Sequence, residues 1–257
     1  MPSSLTAARQ NQLLAALSTA DLEALLPDLE LLDLAQGHPL HRPGAEMLYA
    51  YFPLTSIVSL LYEMDGTAMT EVSVVGNEGI IGVSIFLGGE TTLSMATVES
   101  AGFALRLSDT ALRKAFRQAG KLQKLLLLYM QAFSTEIAQT LACVREHTLH
   151  QRFCRWLLMR FDRLPADTLR MSQAKIAGLM GVRRSSISKI ASELNTHKAI
   201  SYSRGCLRLL DRSVLERQSC DCYQVIKNEF ERLLPTTLPG TSAMRTTEVV
   251  RKLVKIG

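Results

Sequence analysis

Long apolar runs are missing from this chain: none approaches the ~18 residues a membrane-spanning helix needs. Cysteine is absent from the first 142 residues. The five that exist, at 143, 154, 206, 220 and 222, are too few and too odd in number to form a disulfide framework, so a reducing, cytoplasmic setting is expected. Tryptophan occurs once, at Trp156, which is read as core. No lysine or arginine lies between Arg42 and Arg106, and no histidine between His41 and His147. The first gap leaves that stretch without a cation for an anionic ligand, and the second removes later-strand histidine ligands. The first residues lack a basic end followed by an apolar segment and place Pro at position 2, so neither a secretory signal nor N-myristoylation is expected.

What is present is an ordinary globular composition, 47% hydrophobic and 21% charged over 257 residues. The net charge of +5 conceals a division. Residues 1–146 carry 9 basic against 15 acidic residues, residues 147–212 carry 13 against 4, and the remainder 7 against 5. An acidic front half followed by one basic block points to a polyanionic partner for that block.

The texture changes along the chain. Residues 5–34 read as short helices, with Leu13, Leu14, Leu17, Leu22, Leu25 and Leu26 at helical spacing and an interruption at Pro27. From Gly37 to Asp109, nine of the fifteen glycines separate short β-prone runs such as residues 56–62 and 71–75. Asp65-Gly66 is a hairpin-turn candidate, and evenly spaced strands with turn signals predict a small barrel or jelly roll. From Ser108 to Leu164 the pattern is helical. Leu122, Leu126, Tyr129, Phe133, Ile137, Thr140 and Val144 step by three or four and predict the dimer seam of one long helix. A shorter helix follows at Gln151–Phe161. After Val214 a polar helix is expected to run to about Leu234, with a linker over 235–242 and a tail beyond.

Ser172–Asn195 carries the most specific pattern. Ser172 can cap a helix over Gln173–Met180, Gly181 supplies a tight turn, and a second helix starts near Arg184. Ile176, Leu179, Met180, Val182, Ile187 and Ile190 supply apolar contacts between the helices, with Ala177 small at their crossing. This is a helix-turn-helix constellation. The second helix presents Arg184, Ser185, Ser186, Ser188 and Lys189 near its start, with Arg183 just before it and Ser172 and Gln173 opening the first helix. Such donors suit base edges and phosphates. Residues 200–210 then read as a hairpin with Arg204-Gly205 at its tip, a wing that would bring Arg204 and Tyr202 to a DNA backbone.

Together with Tyr51-Phe52-Pro53 and Gly76-Asn77-Glu78-Gly79-Ile80-Ile81-Gly82, these elements resemble the Crp/Fnr family of transcription regulators over residues 10–215. The resemblance implies an α+β fold. A jelly-roll-like β-roll sensor with N-terminal helices would occupy 1–120, a long dimerisation helix 121–146, a winged helix-turn-helix domain 147–215, and a C-terminal helix and tail 216–257. It implies double-stranded DNA, a second copy of the chain and RNA polymerase as partners, no membrane, no enzymatic activity, and an effector pocket near Gly76, Asn77, Glu78, Gly79, Thr92 and Ser94. Family members often carry Glu beside the leading recognition Arg; here that residue is Ser185. The arginine that would hold the phosphate of cyclic AMP is missing from residues 90–95, so tight binding of that ligand is not expected. An N-terminal iron–sulfur cluster lacks its thiolates. His38 and His41 are read as exposed loop histidines rather than haem ligands. Cys220-Asp-Cys222, near Cys206 in sequence, could be oxidised or bind a soft metal, but is read as free thiols on a surface helix; Cys143 and Cys154 are read as buried. No metal or cofactor is expected.

Two other classes stay open at this level. His38-x-x-His41-x4-Glu46 is loosely similar to the ligands of a cupin-type metal enzyme, which metal analysis would reveal. A partner-binding regulatory subunit with non-specific DNA binding would show steep salt dependence without sequence preference.

Overall fold

The computed structural model describes residues 4–64 and 68–235; the expected turn at 65–67 and most of the linker and tail lie outside them. Three short helices open the chain, α1 (Leu5–Ala8), α2 (Gln12–Ala15) and α3 (Thr19–Leu25), each capped by a side-chain oxygen, of Ser4, Asn11 and Ser18. Asn11 is fully buried and satisfied: its Oδ1 accepts from the Leu13 and Leu14 amides, while Nδ2 donates to the carbonyls of Pro53 and Gly79. These bonds fasten the opening helices to the sheet domain.

The helical reading fails at its end. Residues 29–34 form strand β1 (Leu29–Leu34), which pairs antiparallel with β7 (Gly102–Ser108) from Leu29↔Leu107 to Leu34↔Gly102. Leucine favours helices in isolation, but sheet pairing overrides that preference here. The remaining strands are β2 (Pro39–His41), β3 (Tyr49–Pro53), β4 (Ile57–Met64), β5 (Ala68–Val75) and β6 (Met95–Ser100), with a short helix α4 (Val83–Leu87) between β5 and β6. They form two antiparallel sheets, β1-β7-β3 and β2-β6-β4-β5, the predicted roll. β4 and β5 flank the expected turn, pairing as far as Met64↔Ala68. Ala50, Phe52, Val58, Ala96 and Leu105 are sealed in the roll's core.

Ser108 caps α5 (Asp109–Arg117), and α6 (Lys121–Glu146) is the long helix. α7 (Leu149–Phe161) begins two residues before the expected Gln151, because Thr148 and Gln151 form a reciprocal capping box. Then come β8 (Thr168–Arg170), α8 (Gln173–Met180), α9 (Arg184–Thr196), β9 (Ile200–Ser203) and β10 (Cys206–Leu209). The single polar helix expected after Val214 is two, α10 (Arg212–Gln218) and α11 (Cys222–Leu233), broken where Ser219 turns extended. α11 lies along α6, with Phe230 edge-on to Tyr129 at 6.2 Å between ring centroids.

The C-terminal unit has its own core around Phe153, Leu157, Ile176, Ile187, Leu194 and Leu207. That core extends onto the roll through Ile57, Leu61 and Val74. Polar groups continue the junction. Arg160 of α7 reaches Glu71 and Glu99 on the roll, and Arg163 reaches Glu78 and Glu136. The acidic front half thus neutralises two cations of the basic block inside the molecule.

Candidate nucleic-acid interface

α8 and α9 meet through one tight turn. Ser172 Oγ accepts from the Lys175 amide at 3.2 Å and opens α8. Gly181 closes it in the left-handed region, φ 65°, its N–H bonded to the carbonyls of Ala177 and Gly178. The Val182 amide also returns to the Ala177 carbonyl, at 2.9 Å. Ile176, Ile187 and Leu194 are fully buried, and Ala177 leaves room at the crossing. With the apolar residues of α9 turned inward, its opposite side faces water.

That outer side holds the recognition candidates. Arg183, Arg184, Ser185, Ser188 and Lys189 are exposed, as is Ser172; Ser186 and Gln173 are half-buried. Arg183 stands at the N-cap position of α9 and supplies no capping side chain, so the first amides of the helix are left for an outside acceptor. Among the described residues, Arg183, Arg184, Lys189 and Arg204 form no ion pair.

β9 and β10 make the expected hairpin. Arg204 (φ 48°) and Gly205 (φ 74°) both take left-handed backbone at its tip, the arrangement of a two-residue turn matched to strand twist. β8 adds a third strand, in the order β8-β10-β9. Its three residues carry too little pattern to be noticed in the sequence. Arg204 is exposed, but the Tyr202 hydroxyl is not free for a phosphate, because it donates to the Met171 carbonyl at 2.7 Å. Burial raises the Tyr202 phenol and the charge of Arg184 opposes that rise.

The long helix is two-sided, and this corrects the expected seam. Leu122, Leu126, Tyr129 and Phe133 face inward and belong to the core of their own protomer. Tyr129 packs its hydroxyl against the turn at Gly79, and Thr140 accepts from Arg155 Nη1 at 3.1 Å. Ile137 and Val144 lie outside, with Leu127 and Leu141, at exposures of 38%, 49%, 48% and 69%. With Met130 and Ser134, these residues repeat at three and four positions, the spacing of a coiled-coil seam one step around the helix from the stripe read in the sequence. A spacing of three and four fits both faces, so the sequence does not choose between them.

The expected effector pocket also moves. Thr92 and Ser94 line a cavity between the roll and α6, with His41, Leu60, Tyr62, Ile81, Phe133 and Ile137 among its other walls. Gly76, Asn77, Glu78 and Gly79 do not line it. Asn77 Nδ2 donates to the Gln10 carbonyl, Glu78 pairs with Arg163, and Gly79 lies under the Tyr129 ring. His41 belongs to this cavity rather than to an exposed loop; its Nε2 lies 3.3 Å from Ser94 Oγ, and burial lowers its pKa to about 4. Among the described residues, no lysine or arginine lines the cavity. His38 and Glu46 are exposed and do not converge with His41.

The thiols also differ from expectation. Cys220 and Cys222 are buried, at 3% and 1% exposure, and meet Cys143 of the long helix and His147 just beyond its end. The fold brings together residues some 77 positions apart, a convergence invisible to spacing rules. Cys154 is buried as expected, its thiol pushed up to about 12 by burial, and Cys206 is half-buried on the wing.

Residues 151–218 match the family model of the Crp-like helix-turn-helix domain. The chain carries a Crp-like helix-turn-helix domain. Solved structures extend the likeness to the whole architecture. The c-di-GMP-responsive global regulator CLP of Xanthomonas campestris aligns with a TM-score of 0.62 at 15% identity, covering 75% of this chain and 99% of that one. FixK2 of Bradyrhizobium japonicum aligns at 0.63 and 14%, covering 75% and 98%. A CRP-family transcriptional regulator of Thermus thermophilus aligns at 0.60 and 19%, covering 73% and 96%. Among curated proteins no significant sequence match is found. The fold is therefore that of the Crp/Fnr regulators, a β-roll, a long helix and the Crp-like domain. Among the described residues, no helix is long and apolar enough to cross a membrane.

Proposed function

We propose that the chain is a homodimeric transcription regulator that reads a near-palindromic operator through the start of α9. One observation carries this reading: Arg183, Arg184 and Lys189 stand exposed at the start of α9, without ion pairs among the described residues. Arginine there can bond guanine O6 and N7 bidentately, while the serines, the uncapped amides and Arg204 suit phosphates. The exposed face of α6 from Leu127 to Val144 is the proposed dimer seam. Two copies joined there would set two recognition helices one turn of DNA apart, about 34 Å.

The cavity against α6 is the proposed effector site. Its wall includes Phe133 and also Ile137 of the proposed seam, so an occupant would touch the helix that carries the seam. An effector acts only through a difference in affinity between two poses, and this position supplies one. With no cationic wall, the occupant is an uncharged or weakly polar molecule rather than cyclic AMP, whose buried phosphate would lack a partner. RNA polymerase is the proposed partner on DNA, and the cytoplasm the proposed location.

Selection of bound sequences from a random DNA pool tests the reading. A symmetric site with half-sites one helical turn apart is expected. Arg184→Ala should lose about 1–3 kcal/mol of operator affinity and relax preference at one position. Binding that follows salt alone, with no enriched sequence, would reduce the chain to a non-specific DNA scaffold.

A further inference from the structure

We propose that Cys143, His147, Cys220 and Cys222 bind one thiophilic divalent cation, zinc in the first instance, which fastens the corner between α10 and α11 to the end of α6. The four ligand atoms all lie within 4.8 Å of one another. Cys143 Sγ is 3.4 Å from Cys220 Sγ, and Cys222 Sγ is 3.5 Å from His147 Nδ1. A tetrahedral ion with Zn–S bonds of about 2.3 Å holds its sulfurs about 3.8 Å apart and its nitrogen slightly closer. The thiols are therefore spaced as the corners of a single-ion site. A multi-iron cluster would need them further apart, and a disulfide would use only two of the four groups.

The backbone explains the convergence. Cys143 lies in the last turn of α6 and His147 caps that helix, its amide bonded to the Cys143 carbonyl at 3.1 Å, so the two sit together at the helix's C-terminal end. Cys220 and Cys222 flank Asp221 where α10 gives way to α11, and the packing of α11 on α6 brings the two pairs together. Each pair is pre-ordered by its own segment, as in two-pair structural zinc sites.

Three surrounding features point to a bound cation. Cys143, Cys220 and Cys222 form a buried cluster of their own, separate from the leucine-rich and isoleucine-rich cores on either side. Three thiols alone make a poor apolar core but a complete soft-ligand set. Gln139 Nε2 donates to Cys222 Sγ at 3.1 Å, the outer-shell bond that orients a ligating thiolate. Arg155 is buried without a carboxylate in ion-pair range, and its Nε has no partner among the described residues. Its Nη1 donates to Thr140 Oγ1 at 3.1 Å, one turn before Cys143 on α6. Zinc with three thiolates and a neutral imidazole carries one net negative charge, which would balance this cation. None of these features depends on the DNA-binding reading.

Elemental analysis of the full chain, purified under reducing conditions without chelator, tests the site directly. One zinc per chain is expected. Cobalt added to metal-free protein should give the d–d bands of a tetrahedral ion and a thiolate-to-cobalt charge-transfer band. Cys222→Ser and His147→Ala should each weaken zinc binding at least tenfold, while Cys206→Ser binds as the parent does. If a variant fails to fold, the cobalt titration of the unaltered chain still decides. Overturning results are any of these: no metal retained and no tetrahedral cobalt spectrum; iron with acid-labile sulfide instead of zinc; metal lost with Cys206→Ser but kept in the other variants; or a Cys143–Cys220 disulfide in freshly purified protein.

Discussion

Arg160 Nη2 lies 2.8 Å from Glu99 Oε2, with both side chains only 1% exposed. The arginine belongs to the first helix of the Crp-like domain and the carboxylate to the roll, so this contact joins the two parts through a desolvated charge pair. Arg160 Nε bonds the other Glu99 oxygen at 2.9 Å, and Nη2 also bonds Glu71. Its guanidinium lies over the Trp156 ring, while Trp156 Nε1 donates to Glu71 at 3.0 Å. Burial pushes the Glu71 carboxyl up, and Arg160 opposes it. The junction is satisfied only while all its members are present.

Arg160→Met should therefore be costly, because it leaves two buried carboxylates facing each other without their cation. A loss of about 3–5 kcal/mol is expected, read from urea unfolding. Adding Glu71→Gln and Glu99→Gln should recover part of it by removing the stranded charges. A single variant as stable as the parent would show that the junction opens freely in solution.

The two faces of α6 predict opposite outcomes for similar substitutions. Leu141→Glu changes a side chain 69% exposed in the protomer, so it should leave folding intact and dissociate the proposed dimer. Phe133→Glu buries a charge in a core position only 7% exposed, and should destabilise the protomer itself by several kcal/mol. Sedimentation velocity beside thermal unfolding separates the two. A Leu141→Glu chain that remained dimeric would place the seam elsewhere.

What the sequence disclosed follows from how local each signal is. Ser172, Gly181 and the inward isoleucines act within a few residues of one another, so the helix-turn-helix and the wing tip could be read to within a residue. The roll was legible as a texture of glycines and β-prone runs. Leu29–Leu34 misled, because its leucines look helical until β7 is alongside. The stripe Leu122, Leu126, Tyr129 and Phe133 is not free for a second copy, since the roll together with α11 buries it, and no periodicity identifies that partner. Arg160, Arg163 and their carboxylates, like the thiol cluster, depend on segments brought together only by folding. The early absence of Lys and Arg after Arg42 was informative in a different way: it described the cavity wall before the cavity could be located.

Gly79 is held by proximity rather than by backbone conformation. A Cβ there would fall 2.5 Å from the Tyr129 hydroxyl and 2.8 Å from its ring. Gly79→Ala should thus press on the contact between the roll and α6 and cost about 1–3 kcal/mol. Tyr129→Phe in the same chain removes the nearest atom, so the double variant should lose less than the two single losses combined. Strict additivity in thermal unfolding would mean that the turn and the ring do not touch in solution.

The cavity makes a prediction about acid. His41 ionises at about 4 in the folded chain against 6.5 when free, because burial disfavours its charged form. The unfolded chain therefore binds a proton that the folded chain refuses between these values. Its contribution to stability is complete above pH 6.5 and is lost as pH falls toward about 4. Other groups titrate in the same window, so the informative quantity is the difference between the parent and His41→Gln, which cannot take up the proton. Urea midpoints of the two should run parallel above pH 6.5 and diverge below it, with the parent weakening more, by about 1–2 kcal/mol after allowing for partial exposure of the ring. Curves that stay parallel throughout would mean that His41 is solvated in both states, and the cavity would then be open to water at the wall formed by β2.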